Sequence, residues 1–294
     1  MTTSSADEPV AVPATAEGER ALPGWVENSA SDRFHPVALV RDLWTYRELG
    51  LAFALSTLRV RYKQAAFGVA WAVLQPLLAV VIFSIVFGRL AGLPSDGMPY
   101  PVFNYSAMIL WLYVSLGVAA AAQSLVENRD LITKVYFARP VAPLSAALPG
   151  LVDLAIAFVV LVAMLGVYGV SPGWAVILTP LWVVAAMLVV LAVGFPLSAL
   201  NVRFRDVRLA LPLALQLWLF ASPVVYSSSL VEGGWRYVYA LNPMSTVLDG
   251  FRWSIADGPA PGPEALVSAA VVVVVLVAGL SYFARAERSF ADVV

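Results

Sequence analysis

The sequence predicts an all-α membrane protein: six transmembrane helices, an amphipathic helix before them and short helices on the outer side. Three observations predict it. Of 294 residues, 61% are hydrophobic and 13% charged, with a mean hydropathy of +0.82; a soluble domain carries about 25% charged residues. Six apolar stretches are long enough to cross, as helix, a hydrocarbon layer of about 30 Å. The basic residues fall on alternate connections between those stretches.

The spans are read at 66–88, 103–126, 144–169, 173–200, 209–227 and 264–284. Only Val170–Pro172 part the third and fourth, which predicts a tight hairpin. Arg41, Arg47, Arg59, Arg61 and Lys63 precede the first span. Arg129, Lys134 and Arg139 lie between the second and third, Arg203, Arg205 and Arg208 between the fourth and fifth, and Arg285 and Arg288 after the sixth. The opposite side holds Arg89, Arg236 and Arg252. Six crossings therefore put every basic connection and both termini in the cytoplasm, whereas five or seven would split them.

Residues 1–36 read as a disordered cytoplasmic tail, rich in Ser, Thr, Ala, Pro and Glu at its start. No basic stretch precedes an apolar one there, so it is not read as a cleaved signal peptide. Residues 37–294 form the transmembrane domain. The chain has no Cys, and its single His is His35, which argues against a buried zinc or haem site. No Walker A loop, nucleophile elbow or metal-ligand cluster is present, so neither a catalytic residue nor a metal ligand is assigned.

Over 37–64, Leu39, Leu43, Tyr46, Leu49 and Phe53 recur at helical spacing against Arg41, Asp42, Arg47 and Glu48. With Trp44 and the basic run RVRYK, this suits a helix lying in the headgroup plane; a plain soluble helix is the alternative. Residues 228–262 are too polar for a span and carry Trp235, Tyr237, Tyr239, Phe251 and Trp253. Asn242–Pro243 breaks the segment in two, with Ser245 or Thr246 able to cap its second half. It reads as two short helices at or dipping into the outer interface, either capping a pathway or anchoring the surface.

Asp153 is the acidic residue clearly inside a span, hence a candidate relay. The sequence offers it no intramembrane Lys or Arg partner, so it is otherwise protonated, hydrogen-bonded or near the cytoplasmic end. Segment 127–140 mixes Leu131, Ile132, Val135, Tyr136 and Phe137 with Arg129, Asp130, Lys134 and Arg139. It suits a short helix docking into a partner's groove, or equally a solvated turn. Trp71, Phe83, Trp218 and Phe220 are candidates to line a conduit, because sugars stack their C–H faces on aromatic rings; a belt at the membrane interface is the other reading.

Several stretches resemble one family. RYKQAAFGVAWAVLQPLL (61–78), NRDLITKVYFARPVAPLS (128–145), LSALNVRFRDV (197–207), the LNPMSTVLDGFRW run (241–253) and ERSFADVV (287–294) are similar to the permeases of polysaccharide ABC exporters, the Wzm and TagG type. The resemblance covers about residues 37–294. It implies a permease homodimer in the bacterial inner membrane, paired with two copies of a separate ABC ATPase that holds ATP and Mg, with no cofactor on this chain and no nucleic acid partner. The cargo it implies is a polysaccharide such as O-antigen or teichoic acid on an undecaprenyl diphosphate-type lipid. By position, 37–57 resembles the family's interface helix. Segment 128–140 resembles the coupling helix, giving Arg129, Leu131, Lys134, Tyr136, Phe137 and Arg139 as ATPase contacts, although 137–140 reads FARP where the family has an FPRE-like sequence. The outer gate helices map to 228–256, giving Trp235, Tyr239, Asn242, Pro243, Phe251 and Trp253. Arg59, Arg61 and Lys63 lie where a lipid diphosphate or headgroup would be met; ordinary positive-inside charge is their other reading. An ABC permease for drugs or simple lipids, and an ion-coupled secondary transporter, are the rival functions.

Overall fold

The computed structural model describes residues 41, 44–63, 70–128 and 138–287. The tail expected over 1–36, Leu39 and Leu43 of the amphipathic helix, coupling residues Arg129, Leu131, Lys134, Tyr136 and Phe137, and the terminal 288–294 lie outside the described residues. All regular structure among the described residues is helical.

Among the described residues, five helices are long and apolar enough to cross a membrane: Ala70–Leu90, Tyr100–Glu127, Val141–Tyr168, Trp174–Arg203 and Ala265–Glu287. Their bounds lie within a few residues of five of the expected spans. The first comprises α2 (Ala70–Phe83) and a wider π-helical continuation, Ser84–Leu90. The second is α3 (Tyr100–Glu127). The third is α4 (Val141–Ala147) followed by α5 (Pro149–Tyr168), where Pro149 has no N–H to continue the ladder. Gly169, at φ +68°, closes α5 in the left-handed conformation and starts the hairpin. The fourth opens as a 3₁₀ turn, Trp174–Leu178, and runs on as α6 (Thr179–Arg203).

The expected fifth crossing differs. Instead of 209–227, helix α7 covers Asp206–Ala221, 16 residues, or about 24 Å at 1.5 Å per residue. Ser222 is extended, at φ −108° and ψ 150°, because it precedes Pro223, whose ring disfavours a helical residue before it. Residues beyond it continue as turns toward α8 (Trp235–Tyr239) and α9 (Pro243–Ala256). The last span is α10 (Ala265–Glu287).

The core sits around α3, 61% of whose apolar window is buried, against 11% for the first span and 17% for the last. Small residues let its neighbours approach, as expected of helices packed in lipid. A Cβ on Gly194 of α6 would lie 2.7 Å from Ala121 of α3, and one on Gly279 of α10 would lie 2.8 Å from Pro196 of α6. Asn201 donates to the Ala122 carbonyl at 2.9 Å, and Phe195 meets Phe283 edge-on at 5.7 Å.

The amphipathic helix forms α1 (Arg47–Lys63). Gly50 and Ala54 are buried, with Tyr46, Leu49 and Phe53 packed on the core. A Cβ on Gly50 would lie 3.3 Å from Val141, the first residue of α4. Of the apolar stripe predicted from sequence, Tyr46, Leu49 and Phe53 thus face the protein. A second set, Trp44, Leu51, Leu55 and Val60, is exposed.

Candidate functional site

Two polar clusters interrupt the apolar bundle. The first joins α1 to α5. Arg61, in the last turn of α1, places Nη1 2.5 Å from Oδ2 of Asp153, and the Tyr62 hydroxyl donates to Oδ1 of the same carboxylate. This corrects the expectation that Asp153 has no cationic partner. The partner comes from the helix preceding the first span, 92 residues away in sequence, and no local pattern announces it. Burial, then the hydrogen bond and charge of Asp153, push the Tyr62 hydroxyl up to about 12, with Arg61 opposing.

Beside this pair lies a cavity of about 370 Å³ between α1, α2, α3 and α5. Arg61, Tyr62, Asp153, Gln75 and Tyr113 supply its polar groups, and Trp71, Ile109, Leu112 and Leu154 its apolar wall. Tyr113 is 3% exposed, and its hydroxyl has no hydrogen-bond partner among the described residues. Arg59 and Lys63 are exposed and do not line the cavity, so the three cations grouped by sequence do not converge.

The second cluster is the outer element. Asn242 caps α9 by accepting the N–H of Met244 at 3.1 Å; this corrects the choice of Ser245 or Thr246 as the cap. Pro243 takes the first helical position, where its missing N–H costs nothing. The Asn242 Oδ1 also accepts the Trp218 indole N–H at 2.8 Å, while its Nδ2 donates to the Ala221 carbonyl and Ser222 hydroxyl, both at 3.0 Å. Tyr239 pairs hydroxyls with Tyr226 at 2.9 Å. Phe251 is fully buried against Phe158, Trp253 meets Trp174 edge-on, and Trp235 is 73% exposed. A Cβ on Gly250 would lie 2.2 Å from the Trp182 ring, so α9 sits on α6 through glycine.

Sequence reasoning treats Arg252 as an ordinary outer-side charge. It is instead 3% exposed, stacked 3.5 Å above the Phe103 ring. Its guanidinium donates to the carbonyls of Pro223 at 2.6 Å, Val224 at 3.0 Å and Phe103 at 3.2 Å. Two of those carbonyls belong to the non-helical stretch after α7. Buried non-helical carbonyls must be satisfied within the protein, and Arg252 does so here. Leu248, Phe251, Arg252 and Ile255 share one helical face and all four are buried, a pattern that marks the arginine as internal. Desolvation lowers Arg252 to about 10. Asp249, 3.7 Å from it, is pushed up to about 6 chiefly by burial, with Arg252 and Ser228 opposing and Asp96 and Glu264 adding. These carboxylates border a second cavity of about 100 Å³ with Arg236 and Ser229. Among the described residues, no three His, Asp or Glu side chains come together in a way that would hold a metal ion.

The aromatic candidates fall in separate surroundings. Trp71 borders the first cavity, Phe83 meets Phe87 at 5.7 Å, Trp218 meets Trp111 edge-on at 5.5 Å, and Phe220 is 49% exposed. Arg139, the described member of the coupling set, donates to the Glu287 carbonyl at 2.5 Å and lies 3.8 Å from that residue's carboxylate. It ties the foot of α4 to the end of α10.

The sequence profile of the ABC-2 type transporter family matches residues 51–256. The chain is 31% identical over 260 residues to the O-antigen export system permease protein RfbA of Myxococcus xanthus, covering 87% of this chain and 99% of that protein. It is 25% identical over 240 residues to a protein of the same name from Klebsiella pneumoniae, covering 80% of this chain and 91% of that one.

Proposed function

The chain belongs to the ABC-2 type transporter membrane family, and from that premise we propose that it is the transmembrane subunit of an ATP-driven exporter of O-antigen-type polysaccharide carried on a lipid diphosphate. The observation that carries this reading is the 31% identity spanning 99% of an O-antigen export permease. Hydrolysis of ATP with Mg belongs to a separate ABC ATPase, two copies serving two permeases in the cytoplasmic membrane.

Six crossings per subunit remain the topology that keeps the basic connections together. In this reading α7 is a shortened fifth crossing, and α8 and α9 return into the membrane as the outer gate. The permease dimer forms along the first span and α7, whose apolar surfaces the single chain leaves exposed: Leu211 is the buried residue of α7. ATP binding closes the ATPases and shifts segment 128–140. Packed helices carry such shifts as rigid bodies, so the dimer interface opens and the gate at 228–256 parts. The tie from Arg139 to Glu287 supports a rigid link between this segment and α10.

A gentle-detergent pull-down of the tagged permease from native membranes tests the class. Recovery of an ABC ATPase at about one per permease, with vanadate-sensitive hydrolysis, is the expected result. A clean preparation lacking any ATPase would contradict it and favour ion-coupled transport.

A further inference from the structure

The resemblance assigns both outer helices to one gate, but their packing divides them. Eleven of the fourteen residues of α9 are buried, and its Gly250 is pressed against Trp182. Helix α8 has five residues, none of them buried, and Glu232–Val238 are all exposed. Gly234 at its start offers no side-chain cap, and a helix this short is marginal without packing. Gly233 sits at φ +63°, and a Cβ on Gly233 or Gly234 would meet nothing within 4 Å. The chain on either side is held. Before the glycines, the Ser227 and Ser229 hydroxyls donate to the Asp96 carboxylate at 2.5 and 2.8 Å. After α8, the carbonyl of the buried Ala240 accepts the Ser268 hydroxyl at 2.7 Å. Against α8 lies the second cavity, of about 100 Å³: Arg236 and Tyr239 border it from α8, and Thr246, Asp249, Arg252 and Glu264 from the other side.

We infer that α8 is a lid on this cavity and moves without α9. It pivots on Ala240, Gly233 takes up the backbone change, and parting of the Tyr226–Tyr239 hydroxyl pair, 2.9 Å apart, frees it. A few residues at the ends of an element are enough to absorb such a swing. Opening carries Arg236 out of the cavity and admits water to the Asp249–Arg252 pair, while the carbonyls held by Arg252 keep their donor. The lid rests on packing alone; only its service as the moving part of an export gate rests on the proposed function.

The chain has no Cys, so single cysteines report the motion. The full chain in phosphatidylcholine nanodiscs is treated with a sulfonated maleimide after one of three substitutions. Thr246→Cys lies on the cavity side of α9, Ser254→Cys is buried elsewhere on α9, and Glu232→Cys is exposed. Thr246→Cys should react at least about tenfold more slowly than Glu232→Cys, equivalent to an opening cost of roughly 1.4 kcal/mol, and Ser254→Cys should stay unreactive. Adding Tyr239→Phe removes the hydroxyl pair and should speed Thr246→Cys severalfold. Adding Gly233→Ala strains the closed lid at its positive φ and should speed it about fivefold, equivalent to roughly 1 kcal/mol. Thr246→Cys reacting as fast as Glu232→Cys would mean that nothing covers the cavity. A rate untouched by both added substitutions, or Ser254→Cys gaining reactivity in step, would mean that α8 is not the moving part. Each of these overturns the inference. Labelling as expected in a protein that moves no glycan would overturn the export reading alone.

Discussion

The Asn242 side chain accepts the indole N–H of Trp218 at 2.8 Å, so the residue that starts α9 also holds the helix that ends before it. The same amide caps Met244 and donates to Ala221 and Ser222. One side chain thereby fixes the angle between α7 and the outer helices.

Asn242→Ala should destabilise the outer element by about 1–2 kcal/mol, combining the lost cap with an unpaired indole. Hydrogen exchange checks it: amides at 244–247 should lose protection while those of α3 keep theirs. Unchanged protection at 244–247 would show that the cap does not hold this helix.

Arg252→Met should cost more, at least about 3 kcal/mol, because three carbonyls and Asp249 lose their partner inside the protein. Arg252→Lys should cost less, since a lysine keeps the charge but not the fork of donors. Thermal unfolding of purified protein should rank wild type above Lys above Met. An Arg252→Met protein as stable as wild type would remove Arg252 as the group satisfying the turn after α7.

Five of the spans were legible because apolar length is a local signal. Asn242–Pro243 was legible as a break for the same reason. The shortened α7 was not read, although Ser222–Pro223 is a local break, because the non-helical carbonyls of Pro223 and Val224 that follow it are satisfied by Arg252, which lies 28–29 residues away. Arg61 and Asp153 illustrate the same limit: Arg61 reads locally as one of a basic run and Asp153 as a lone charge, and only packing of α1 on α4 and α5 brings them together. Trp71 and Trp218 share an apolar, aromatic character in sequence, yet one borders a cavity and the other serves as a hydrogen-bond donor.

Burial of Asp249 should make the outer element pH-sensitive. Its folded value near 6 lies above the usual 3.8, so the folded state binds the proton more tightly. The stabilisation is complete below about pH 4 and is lost as pH rises through about 6. Exchange protection of α9 should therefore decline across that window in wild type, with Arg252, Asp96, Glu264 and Tyr239 as the charged and titratable groups around Asp249. In Asp249→Asn the profile should be flat; a persisting slope would assign the titration to another group.

The Arg61–Asp153 pair should show a coupling energy of about 1 kcal/mol, at the upper end for exposed pairs, since Arg61 is 39% and Asp153 20% exposed. A double-mutant cycle with Arg61→Gln and Asp153→Asn, read from exchange at the end of α1, measures it. Additive single effects would mean that the contact does not hold α1 in place.

The central claim is ATP-driven movement of a lipid-linked glycan. The most direct measurement reconstitutes this permease with the ABC ATPase expected to co-purify with it, in proteoliposomes loaded with lipid-linked O-polysaccharide on the ATPase side. Accessibility of the glycan to a lectin on the opposite side is then monitored over time. The account predicts appearance of lectin-accessible glycan only with ATP and Mg, abolished by vanadate and uncoupled from hydrolysis by Arg139→Glu. Movement that needs no ATP but tracks an imposed ion gradient would contradict it.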